Sequence, residues 1–60
     1  MKHAEYKKLK VGDQCVIIQT GELGTVLAIN RQSDDIQLKA KRAGFGITKE
    51  WYNYTHLAKI

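Results

Sequence analysis

The chain has 60 residues, ten Lys/Arg against six Asp/Glu for a formal net charge of +4, and a single cysteine. A chain this short makes one domain and buries only about 60% of its unfolded surface, which excludes a deep catalytic cleft beside a core in a lone monomer. One cysteine excludes an internal disulfide framework and suits a reducing compartment.

No window reaches the roughly 18 consecutive apolar residues of a membrane span, and the N-terminus lacks a signal-peptide apolar region. The expectation is a soluble, cytoplasmic protein that avoids membranes. Its positive balance favours an anionic partner, either nucleic acid or an acidic protein surface.

Residues 1–9 read as a basic N-terminal arm. Lys2, Lys7, Lys8 and Lys10 outnumber Ala4, Tyr6 and Leu9, which form no helical stripe long enough to stand alone. The arm is expected to fray at its start and join a folded unit spanning residues 10–60.

Gly12-Asp13 launches the first strand, in which Cys15 and Ile17 face one side and Val16 and Ile18 the other. Thr20–Gly24 reverses the chain, its two glycines marking positive φ or a close backbone approach. In the next strand Val26 and Ile29 are core candidates of opposite parity, which predicts a bulge near Leu27-Ala28.

Asn30–Asp35 is a polar turn cluster. Ile36, Leu38 and Ala40 then alternate with Gln37, Lys39 and Lys41, the pattern of a half-buried strand with a basic solvent side. Arg42–Gly46 is a glycine-bounded tight loop. Ile47–Tyr52 is a fourth strand with two open facings: one buries Ile47 and Trp51 around Lys49, the other Tyr52 with Glu50. Asn53–His56 reads as one helical turn, and Leu57–Ile60 as a closing strand with Leu57 inward.

Five short strands with turns every 8–12 residues predict an all-β fold, a small five-stranded barrel, closed or nearly so, with a short helical turn before the last strand. The run V-G-D-x-C-x-I followed by T-G-E-L-G-T-V-x-x-I resembles the opening of SH3-like barrels, and in particular the KOW motif. Gly12-Asp13 and Gly24-Thr25-Val26 stand at its key positions. The polar turn, the basic strand, the Phe-Gly loop and the W-Y-x(4)-L ending are similar to KOW domains of NusG-type transcription factors and to Tudor-like modules. The resemblance spans about residues 10–60. It implies a binding module rather than an enzyme, with RNA, ribosomal or transcription proteins, or peptides as partners. A free-standing barrel of this size also resembles phage-encoded or accessory bacterial regulators.

Two residue sets are candidates for such binding. Lys39, Lys41 and Arg42, with Arg31, Lys49 and the Lys7–Lys10 stretch, offer cations to a phosphate backbone; a merely solvated strand face accounts for the same pattern. Trp51, Tyr52 and Tyr54 offer rings for stacking. So small a core needs large rings, and Trp51 is expected inside it, whereas Tyr52 and Tyr54 are open. The expected ligand is RNA or another single strand, bound weakly and with salt sensitivity. The rival expectation is a protein-interaction adaptor using Val16, Ile18 or exposed tyrosines, and a third is a homo-oligomer joined through those apolar residues.

Chemistry has little support. His3, Cys15 and His56 show no C-x-x-C or H-x(3–5)-H spacing for a metal. Cys15 reads as a small buried hydrophobe, Asp34-Asp35 as a turn, and Gly21–Gly24 lacks the lysine and helix of a phosphate loop. No catalytic residue, metal or cofactor is expected.

Overall fold

The β-branched run after Asp13 forms the first strand, β1 (Gln14–Ile17), in the computed structural model, which describes residues 1–42 and 44–60. It is followed by β2 (Leu23–Asn30), β3 (Asp35–Arg42) and β4 (Gly46–Asn53). A 3₁₀ turn at Tyr54–His56 leads into β5 (Leu57–Lys59). All pairings are antiparallel, and the strand order is β4-β3-β2-β1-β5. The five strands and the turn before the last one match the sequence reading. The sheet is open, with β4 and β5 as its edges rather than paired to close a barrel. Ala43, within the expected 42–46 loop, lies outside the described residues.

Alternation decides the core. Cys15 and Ile17 of β1, Ile36, Leu38 and Ala40 of β3, and Leu57 of β5 are buried, whereas Ile18 is exposed. Val26 opposes Leu38 and Ala28 opposes Gln37, so Leu27 is the extra residue of a bulge and Ile29 is returned to the core side opposite Ile36. In a regular strand without a bulge, Val26 and Ile29, three residues apart, would point to opposite faces.

The two turn glycines have different reasons. Gly21 has φ +76°, the left-handed region that glycine enters without a Cβ penalty. Gly24 has ordinary φ, but a Cβ there would lie 3.1 Å from both Cβ and Cδ1 of Leu38. Asn53 ends β4 by accepting the Thr55 N–H at its side chain, capping the 3₁₀ turn.

The N-terminal segment differs from the expected frayed arm. His3–Lys7 forms a short helix, α1, too short to persist alone and therefore dependent on what it packs against. Tyr6 and Leu9, each 2% exposed, belong to the same buried cluster as Ile36, Leu38 and Leu57. The Lys2 N–H donates to the Glu5 carboxylate at the helix start, and the Lys10 N–H donates to Asp13 just beyond it. The N-terminal amine donates to the carbonyls of Tyr54 and Leu57. Two aromatic rings, Tyr6 and Tyr54, stack at 4.5 Å and 8°. No helix of the described residues is long and apolar enough to cross a membrane.

Candidate functional site

Strand parity distributes the candidate cations. Lys39 and Lys41 alternate with Leu38 and Ala40, so their side chains leave the core and occupy the outer face. Across the β3–β4 ladder, Lys49 lies opposite Lys39, Ile47 opposite Lys41, and Trp51 opposite Gln37. The sequence therefore folds three lysines and a tryptophan onto one side of the sheet. Among the described residues none of these lysines pairs with a carboxylate. Like charges directly opposite on a sheet repel, and among the described residues no carboxylate lies within 4.0 Å of either lysine.

Trp51 corrects the sequence expectation. It is 50% exposed rather than buried, because the facing of β4 places Tyr52 and Thr48 toward the core side, opposite Ile36 and Ala40. Between β2 and the lysines lies a depression of about 420 Å³, lined by Leu23, Thr25, Leu27 and Ile47 with Lys39 and Lys41. Its floor is apolar and its rim basic. Phe45, at the tip of the β3–β4 hairpin, is 80% exposed.

The remaining candidates are committed elsewhere. Arg42 shares the parity of Ala40 and so emerges on the core side. There its Nε sits 3.2 Å from Glu22 Oε2, and its Nη2 sits 3.8 Å from Glu50 Oε2. Tyr52 accepts from Arg42 Nη2 and donates to Glu50 Oε2 at 2.8 Å. Partial burial, and then the Glu50 hydrogen bond, raise the Tyr52 phenol above its ordinary 10.0. With one arginine against two glutamates this quartet is net negative, and it does not join the three lysines.

Arg31 works as a brace for α1. Its Nη1 and Nη2 donate to the carbonyls of Tyr6 and Leu9 at 3.3 and 3.2 Å, and its guanidinium lies 5.0 Å from the Tyr6 ring centroid. The Tyr6 carbonyl also accepts the Leu9 N–H at 3.1 Å, so Arg31 adds a second donor at the end of α1. Tyr54 is spent on its stack with Tyr6, with His3 edge-on at 5.8 Å. Of the seven site residues read from the sequence, Lys39, Lys41 and Lys49 are thus brought together. Arg31, Arg42, Tyr52 and Tyr54 are not part of that group.

The buried thiol of Cys15 is pushed above its usual range by desolvation, which disfavours the thiolate a nucleophile needs. Among the described residues no three His, Cys, Asp or Glu side chains gather closely enough to hold a metal ion. What the outer face can do is hold anions over an apolar floor beside an exposed ring. Comparison with family models, curated proteins and solved structures finds no match to this chain.

Proposed function

We propose that the chain is a non-enzymatic binding module whose outer β2–β3–β4 face takes nucleic acid, as RNA or another single strand. The observation that carries this reading is the Lys39–Lys49 opposition, with Lys41 alongside and, among the described residues, no carboxylate paired to any of them. A bound phosphate relieves a repulsion that the free protein bears. Trp51, two residues from Lys49 on the same face, supplies a ring on which a base stacks, and such stacking is tolerant of sequence. The reading takes the five-stranded antiparallel sheet as an SH3-like fold akin to KOW and Tudor-like modules, and the lone cysteine as suited to a cytoplasmic setting.

Three lysines give an expected log–log salt slope of about −2 on a single strand, with affinity of about 10⁻⁴–10⁻⁶ M at physiological salt. The test uses Trp51, the sole tryptophan, as its own reporter. Titration with a short mixed-sequence RNA at low salt should change its fluorescence, and the change should weaken as salt rises. Fluorescence that does not respond to RNA at low salt overturns the reading.

A second reading, a protein-interaction adaptor, is favoured by one observation: Leu23, Ile47 and Phe45 are all at least half exposed near the basic face. It fits a partner surface that is acidic around an apolar centre. Salt-insensitive binding with a hot spot at one of these three residues would favour it over nucleic acid.

A further inference from the structure

The lysines divide between two sides of the sheet. Lys39, Lys41 and Lys49 occupy the outer face. Lys2, Lys7, Lys8 and Lys10 belong to α1 and its flanks and are exposed. The helix itself packs on the other side, through Tyr6 and Leu9 against the core. Arg31 and Tyr54 tie it there. Lys59 shares the core-side parity of Leu57 and emerges on that same side, next to Cys15 in register. None of these lysines pairs with a carboxylate among the described residues. The two acids of the segment, Glu5 and Asp13, accept the backbone N–H groups of Lys2 and Lys10.

We infer that the α1 surface is a second phosphate contact, so that one copy of the protein bridges two nucleic-acid strands. The inference rests on the nucleic-acid reading of the outer face. A strand lying flat along Lys39, Lys41 and Lys49 is on the other side of the sheet from Lys7 and Lys8, with the core between them. The α1 lysines therefore act on a different segment. The surface has no exposed aromatic platform comparable to Trp51, so its grip is electrostatic and the more salt-sensitive of the two.

The experiment mixes two populations of short single-stranded RNA, one carrying a fluorescence donor and the other an acceptor, with the full chain at low salt. Energy transfer should rise as protein is added and fall when protein is in excess, since each strand then acquires its own copy. In the triple variant Lys7→Gln, Lys8→Gln, Lys10→Gln, energy transfer should be lost while the Trp51 response to RNA is unchanged. Circular dichroism of the variant checks that the fold is retained, and Lys7→Arg with Lys8→Arg should restore transfer in the Gln background. Trp51 quenching without energy transfer in the native chain overturns the bridge and leaves the outer-face reading standing. Transfer that persists in the triple variant assigns bridging to self-association and overturns the role of α1. Absence of both signals removes the nucleic-acid reading and the bridge with it.

Discussion

Lys39 and Lys49 face each other across the β3–β4 ladder on the solvent side of the sheet, and among the described residues neither pairs with an acid. In a sheet, an opposite-charge pair at such a position contributes roughly 0.2–1 kcal/mol, and a like-charge pair costs stability. Lys49→Glu is therefore expected to raise the urea midpoint while weakening RNA binding, as read by Trp51 fluorescence. A variant that loses stability as well as binding would show that the lysine pair carries no strain.

Gly24→Ala tests the approach of β2 to β3. A methyl group there meets Leu38 at 3.1 Å, and Leu38 is 1% exposed and cannot swing into solvent. Overpacking of this kind costs about 1–3 kcal/mol. Chemical denaturation of the variant should give a lower midpoint with an unchanged slope, and pairing it with Leu38→Val should recover part of the loss.

Arg31 was read from the sequence as a cation for a ligand, and the structure uses it to hold α1. Arg31→Ala removes two charge-assisted hydrogen bonds to carbonyls, with an expected cost of about 1–2 kcal/mol given its exposure. Arg31→Lys keeps the charge but loses the planar fork that reaches both carbonyls, so it should not rescue. The outcome to watch is the Tyr6 ring signals in the NMR spectrum, which should move toward solvent-exposed values in both variants. RNA binding at the outer face should be unaffected.

Tyr6 is held in the core with, among the described residues, no hydrogen-bond partner within 3.5 Å of its hydroxyl, and Asp34 is the acid acting on it. Burial, with Asp34 as the second cause, pushes its phenol above the ordinary 10.0, and Tyr52 is raised in the same direction. A raised folded-state value means that the neutral phenol is preferred in the fold. The stability this contributes is fully present below about pH 10 and is lost as pH climbs through the folded-state values. Alkaline unfolding should coincide with tyrosinate absorbance. Tyr6→Phe, which removes the unpartnered hydroxyl, should be neutral or stabilising at pH 7 and should shift alkaline unfolding to higher pH.

The strands were legible where one side of a strand is covered and the other wet. Ile36, Leu38 and Ala40 announce the facing of β3, and extending the same alternation by one residue assigns Arg42 to the core side, away from Lys41. The bulge at Leu27-Ala28 was legible too, from the clash of parity between Val26 and Ile29. β4 gave no such signal: Ile47, Lys49 and Trp51 on one side and Thr48, Glu50 and Tyr52 on the other are equally mixed. The deciding factor lay outside the strand. Tyr6 and Leu9 arrive from the N-terminal segment and help fill the core, leaving β4 to contribute only the partly buried Tyr52. Their contribution was hidden because two apolar residues three apart within a lysine-rich stretch make no helical stripe. The Lys39–Lys41 half of the candidate site followed from periodicity, whereas Trp51 entered it only through the register of β4.

The strand order has a consequence for how the chain reaches this state. β1, β2, β3 and β4 form successive hairpins between near neighbours in sequence, whereas β5 must find β1 across the whole chain, Lys59 opposite Cys15. Local pairings close with little loss of loop entropy and distant ones with more. The four-strand meander β1–β4, which already carries Lys39, Lys41, Lys49 and Trp51, is thus expected to assemble first, and β5 and α1 to dock last. By the same ordering, Leu57 and Tyr6 belong to the part of the molecule that opens most easily. Amide exchange should be faster there than at Leu38, so the outer face can outlast a partial opening of the core beneath it.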